Sequence, residues 1–214
     1  MLGATVVGIG DSIMTSSCKA SQSSGFGIRA CAIVSTPQLP VSYVNQGYPV
    51  RNSSGFCSCA TWVIQHPKPQ AALIQTWSGN EPWTREMADL SFARAMAVAD
   101  TARRNRCVPI LGDPSPMVGT NPEAAAHRQP KRIRARAAAQ PRGYLLDLDT
   151  LWGTGATPNT YRREYDWGDQ MYPNDAARAA TARVLVRCCG RSSAGCSGRP
   201  RSPRLAAVRV AQSS

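Results

Sequence analysis

Five short apolar stretches, at residues 4–9, 41–45, 71–77, 107–111 and 143–148, are separated by segments long enough to carry helices. No other feature constrains the fold of this chain as much. Strands that alternate with helices build a parallel sheet, because a parallel pair needs a crossover and the crossover is usually a helix. Each stretch is nearly all apolar rather than alternating, as expected of strands covered on both faces. Right-handed crossovers then place helices on both sides, giving an α/β chain in three layers.

The intervening segments support this. Residues 84–104 predict a helix, with Thr84 as N-cap and an apolar stripe of Leu90, Phe92, Ala93, Met96, Ala97 and Ala99. A second helix is expected from Ser53 or Ser54 to just before Pro67, a third over about 122–140, and a last one after Pro173-Asn174. At 214 residues the chain suits one domain with a sizeable core. The expected domain is 1–186. From Arg187 the text turns to Arg, Ser, Gly, Pro and Ala, so 187–214 is expected to be a disordered tail, too poor in large apolar side chains to offset its ordering entropy. Out-of-frame translation is one origin for such a tail.

Charge and cysteine content narrow the function classes. The net charge is +12, and six of those charges are arginines within 187–214. A second basic cluster, Arg128, Lys131, Arg132, Arg134, Arg136 and Arg142, has no interleaved aromatic residues to stack bases, and reads as a solvated helix face rather than a nucleic-acid surface. The eight cysteines (Cys18, Cys31, Cys57, Cys59, Cys107, Cys188, Cys189 and Cys196) lack zinc spacing, and only two histidines accompany them. They read as structural or incidental thiols. No metal or cofactor is implied. No apolar run is long enough to span a membrane and the N-terminus lacks the pattern of a secretory signal, which leaves the compartment unassigned.

The first apolar stretch stops at Gly10-Asp11-Ser12-Ile13, which places a serine hydroxyl at the carboxyl end of the first strand, where open α/β folds build their sites. Three more polar blocks follow in chain order: Asn45-Gln46-Gly47 after the second strand, Ser78-Gly79-Asn80-Glu81 after the third, and Asp169-Gln170-Met171-Tyr172 before the last helix. Together they resemble the SGNH, or GDSL, hydrolases over about residues 4–186. The resemblance implies a flavodoxin-like five-stranded sheet and cleavage of an ester of a small molecule, carbohydrate or lipid. It also implies Ser12 as nucleophile and an oxyanion hole from the Ser12 and Gly47 N–H groups with the Asn80 side chain. Asp169 would orient the base. Pre-aimed donors of this kind are each worth about 2.7–4 kcal/mol at the transition state.

Two departures stand out. Ser78-Gly79-Asn80-Glu81 differs from the family's Gly-x-Asn-Asp but keeps the asparagine. More seriously, Tyr172 stands where the closing Asp-x-x-His block carries its base. A phenol ordinarily titrates near pH 10 and imidazole near 6.5, so tyrosine is a poor proton acceptor at neutral pH. His66 belongs to the amino edge of the sheet, opposite Ser12, whereas His127 leaves the carboxyl edge and is the one histidine placed to substitute. Three readings follow: an esterase impaired by Tyr172, an inactive SGNH-fold binding domain, and, least supported, a basic binder of nucleic acid or an anionic surface. Oligomeric state is not legible. Trp77, Trp83, Trp152 and Trp167 are expected to pack and are given no chemical role.

Overall fold

A computed structural model of the chain describes residues 3–14, 25–66, 68–76, 84–112, 116, 144–155, 160–169 and 172–193. Five strands, β1 (Ala4–Gly10), β2 (Val41–Gly47), β3 (Ala71–Gln75), β4 (Val108–Gly112) and β5 (Tyr144–Leu146), form one parallel sheet in the order β2-β1-β3-β4-β5. This is the flavodoxin-like order, in which the chain reverses direction across the sheet between β1 and β3. All five strands lie within a residue or two of the stretches read from sequence.

The two sheet faces are buried separately. Val7, Ile9, Ala72, Ile74 and Leu111 pack against α2 (Ser53–Gln65) and α3 (Arg85–Arg104). Leu73, Ile110 and Leu146 pack on the other side against α1 (Phe26–Val34), the short α4 (Leu148–Trp152) and α5 (Asp175–Ser193). Trp152 is fully buried, stacked on Tyr161, with its indole N–H donated to Thr181 Oγ1 at 2.9 Å. Among the described residues, no helix is long and apolar enough to cross a membrane.

Capping explains the helix starts. Thr84 accepts the Met87 N–H as expected, and Asn52 accepts the Gly55 N–H ahead of α2. Half of the expected α3 stripe faces inward: Met96 and Ala99 are buried and Phe92 packs against the core, while Leu90, Ala93 and Ala97 are exposed. Ser91, Ala95, Val98 and Ala102 complete the buried face.

Helix α1 has no sequence signature. It follows Gly25 without a side-chain cap and spans nine residues, one of them Gly27. Packing makes it, since Phe26, Ala30 and Cys31 are buried. Gly27 is required there, because a Cβ at that position would lie 2.3 Å from the Tyr43 ring, and one at Gly8 would lie 1.8 Å from the Tyr43 hydroxyl. Tyr43 thus fills a slot cut by two glycines. Its buried hydroxyl has no hydrogen-bond partner, and burial, with a smaller contribution from nearby Cys31, holds the phenol protonated far above its ordinary range.

The last helix runs past the expected domain end. Helix α5 continues through Ser193, seven residues beyond 186, because extending an existing helix adds a hydrogen bond per residue without a new nucleus. The remainder of the tail, the expected helix at 122–140, the basic cluster at 128–142 and His127 lie outside the described residues.

Candidate active site

β1 delivers Gly10-Asp11-Ser12 to the carboxyl edge of the sheet, and the turn that follows is held from several directions. Met14 N–H bonds to the Asp11 carbonyl at 3.1 Å, and the Asp11 carboxylate, 1% exposed, accepts the Ile13 N–H at 2.9 Å. From β3, Gln75 Oε1 accepts the Asp11 N–H at 3.0 Å. From the end of β2, the Tyr48 N–H bonds to the Gly10 carbonyl at 2.9 Å. Ser12 itself is 7% exposed.

Tyr172 meets this turn from a position 160 residues away: its hydroxyl lies 3.2 Å from Ser12 Oγ. The two hydroxyls are thus within hydrogen-bond distance of each other. Asp169 belongs to the segment that presents Tyr172, and its Oδ1 accepts the Tyr172 N–H at 3.0 Å. The turn is closed by Trp167 N–H on the Tyr172 carbonyl at 3.1 Å and by a bridge between Asp166 and Pro173. Asn174 completes it, donating to the carbonyls of Glu164 and Asp166 while its Oδ1 caps α5 at the Ala177 N–H.

Gly47 pairs with Gly10 across β1 and β2, so it sits beside the Ser12 turn. Its N–H, however, is donated to Asn45 Oδ1 at 3.0 Å, within the same Asn45-Gln46-Gly47 block. Asn80, with Trp77, Ser78, Gly79, Glu81 and Trp83, lies outside the described residues. His66 is at the amino edge, exposed, with Nδ1 2.9 Å from the Trp62 carbonyl and its ring stacked on Trp62. Cys31 and Cys107 are buried thiols, and Cys57 and Cys59 are half-buried thiols on α2.

Three groups around the site were not read from sequence. Gln75 carried a usable signal, being the one polar residue of an otherwise apolar, fully buried strand. Asp11 was seen only as part of a motif, yet its carboxylate shapes the turn. Arg178 gave no signal. It is fully buried on α5, 3.1 Å from Asp175 Oδ1, with its guanidinium 5.3 Å from the centre of the Trp167 ring. Arg29 bonds to the same Asp175 oxygen at 2.8 Å. Burial lowers the Arg178 pKa against the opposing pull of Asp175, and its Nε and Nη2 have no hydrogen-bond partner. Trp167, expected only to pack, covers this cation.

No family model and no curated protein matches the sequence. Solved structures do match. TesA superposes with a TM-score of 0.68 at 19% identity, covering 87% of this chain and 98% of TesA. A GDSL-like lipase from Bacteroides thetaiotaomicron gives 0.66 at 15% identity, covering 88% of each chain. The acetylxylan esterase Axe2 from Geobacillus stearothermophilus, as a catalytic mutant with serine changed to alanine, gives 0.66 at 16% identity, covering 88% of this chain and 96% of Axe2. The chain has the SGNH hydrolase fold. A second catalytic mutant of Axe2, with histidine changed to alanine, matches equally well at 0.66. In this protein the side chain that meets Ser12 is that of Tyr172.

Proposed function

We propose that this protein is a serine acyl hydrolase of SGNH type that cleaves an oxygen ester through an acyl-Ser12 intermediate, slowly at neutral pH because Tyr172 stands in the place of the base. The 3.2 Å contact between Ser12 Oγ and the Tyr172 hydroxyl carries this reading. A serine hydroxyl is a weak nucleophile until a neighbour takes its proton. Here the acceptor is the Tyr172 phenolate. Ser12 Oγ bonds to the carbonyl carbon as its proton passes to Tyr172, and the oxyanion is received by the Ser12 N–H, by Asn80 and by Gly47. To serve, the Gly47 N–H must turn away from Asn45. Collapse of the tetrahedral centre breaks the ester C–O bond, and the departing alkoxide takes the proton back from Tyr172. Water then repeats the sequence on the acyl-serine and releases the acid.

Tyrosine is a poorer general base than histidine, which is why the proposed turnover is slow. Two observations favour a second reading, a binding domain that holds an ester or acid without cleaving it: the tyrosine facing Ser12 and the Gly47 N–H engaged by Asn45. Burst-phase hydrolysis of p-nitrophenyl acetate by wild type, Ser12→Ala and Tyr172→His separates the two. The hydrolase reading expects slow turnover that Ser12→Ala abolishes and Tyr172→His accelerates. Wild type indistinguishable from Ser12→Ala, with Tyr172→His equally silent, would establish the binding domain instead.

A further inference from the structure

We infer that Gln75 is a positioning residue for the nucleophile, holding the Ser12 turn in register by accepting the Asp11 N–H; the inference rests on Ser12 being that nucleophile. β3 is Ala-Ala-Leu-Ile-Gln, buried throughout, and the side chain of Gln75 is 6% exposed. A carboxamide is costly to bury unless its polar atoms are bonded, so an apolar residue would serve a merely structural strand end better. The bond it makes, Oε1 to Asp11 N–H at 3.0 Å, falls on the residue directly before the serine.

The sequence of β1 is cut to fit this contact. A Cβ at Gly10 would lie 2.4 Å from Gln75 Oε1 and 2.9 Å from Gln75 Cβ, so residue 10 must lack a side chain for the carboxamide to reach Asp11. Gly10 and Gln75 therefore act as a pair. The register agrees, since Ile9 pairs with Ile74 and places the next residues of the two strands side by side. On its other side Gln75 borders a small cavity whose remaining lining, including Ile13, Met14, Leu73 and Leu146, is apolar or glycine. Without the Gln75 oxygen the Asp11 N–H loses this acceptor beside the serine, and the turn departs from the geometry that the contact sets. Displacing a reacting group by about 1 Å can cost on the order of 10²-fold in rate.

The test uses the full chain with Gln75→Met, similar in shape but without the carboxamide oxygen, and Gln75→Glu, which keeps an acceptor oxygen whether ionised or not. Two readouts are taken: hydrogen exchange of the Asp11 amide by NMR, and the part of p-nitrophenyl acetate hydrolysis that Ser12→Ala removes, with kcat and KM resolved. In Gln75→Met, Asp11 exchange is expected to accelerate about tenfold, the worth of one hydrogen bond. In the same variant kcat should fall about 10- to 100-fold with KM little changed. Gln75→Glu should stay close to wild type in both. Unchanged Asp11 exchange in Gln75→Met overturns the inference, as does a loss of kcat no larger than the fraction of unfolded protein. If wild type has no Ser12-dependent hydrolysis, the proposed function fails by itself and the exchange measurement alone decides whether Gln75 holds the turn. Should Gln75→Glu fail to fold, the Gln75→Met exchange and kcat results still decide.

Discussion

The two turns that meet at Ser12 and Tyr172 are built on opposite plans. The nucleophile turn is pinned from distant parts of the chain: Gln75, 64 residues from Asp11, and the Tyr48 N–H both reach it from neighbouring strands. Asp11 and Ser12 are buried in it. The base turn is pinned locally, by Asp169 on the Tyr172 N–H, Trp167 on the Tyr172 carbonyl, and Asn174 on two carbonyls just upstream. Nearly all of these local bonds use main-chain atoms. A turn held through its main chain is indifferent to which aromatic side chain it presents, so on the proposed function the fold tolerates tyrosine where a hydrolase would use histidine. The nucleophile turn has no such freedom, because its geometry depends on the absence of a Cβ at Gly10 and on one buried carboxamide.

The contrast breaks most visibly at residue 172. If the base turn is a neutral holder, Tyr172→His should raise kcat for p-nitrophenyl acetate near pH 7 by about 10²–10⁴-fold, the usual worth of a general base. Its thermal midpoint should barely move.

Glycine substitutions compare the two turns as structures. Gly10→Ala forces the new methyl against Gln75 and Met14 and is expected to cost about 3 kcal/mol in urea unfolding, with loss of Ser12-dependent hydrolysis. Gly168, in the base turn, has φ +104° with nothing within 4 Å of a would-be Cβ. Gly168→Ala should therefore cost only backbone strain, about 1 kcal/mol. Equal costs at the two sites would mean that the nucleophile turn is no more constrained than the base turn.

The smallest effects concern the polar groups left unpaired beside each turn. Behind the nucleophile turn, Tyr43→Phe deletes a buried hydroxyl without a partner and should stabilise the protein by about 1 kcal/mol. Beside the base turn, Arg178→Met removes a buried cation whose Nε and Nη2 are unpaired; the midpoint in urea should stay within about 1 kcal/mol of wild type, as replacing buried charge by apolar volume often does. A much larger loss would show that the Arg178–Trp167 contact holds the base turn, making that turn less local than its main-chain bonds suggest.

Much of this was readable from the order of residues alone. The five strands, the capped start at Thr84 and the break at Gly10-Asp11-Ser12 are local signals, because strand composition, side-chain capping and turn residues act within a few positions. The tyrosine at 172 was likewise visible as a departure within its own block. Contacts that join distant segments were not. Helix α1 exists because Phe26, Ala30 and Cys31 find the sheet and α5, and Gly27 is explained only by the Tyr43 ring that crosses it. The full inward face of α3, with Ser91, Ala95, Val98 and Ala102 beside Met96 and Ala99, was decided by tertiary packing.

The sequence by itself thus determined the layered parallel architecture, the placing of a serine at its carboxyl edge and the absence of histidine from the closing block, since each is encoded in short-range pattern. Only the tertiary structure decided that the Tyr172 hydroxyl faces Ser12, that Gln75 grips the residue before it, and that the Gly47 N–H is turned to Asn45. Those are distances of about 3 Å between side chains and main chain. They follow from strand register and helix packing, which are settled by the whole chain burying its apolar faces at once.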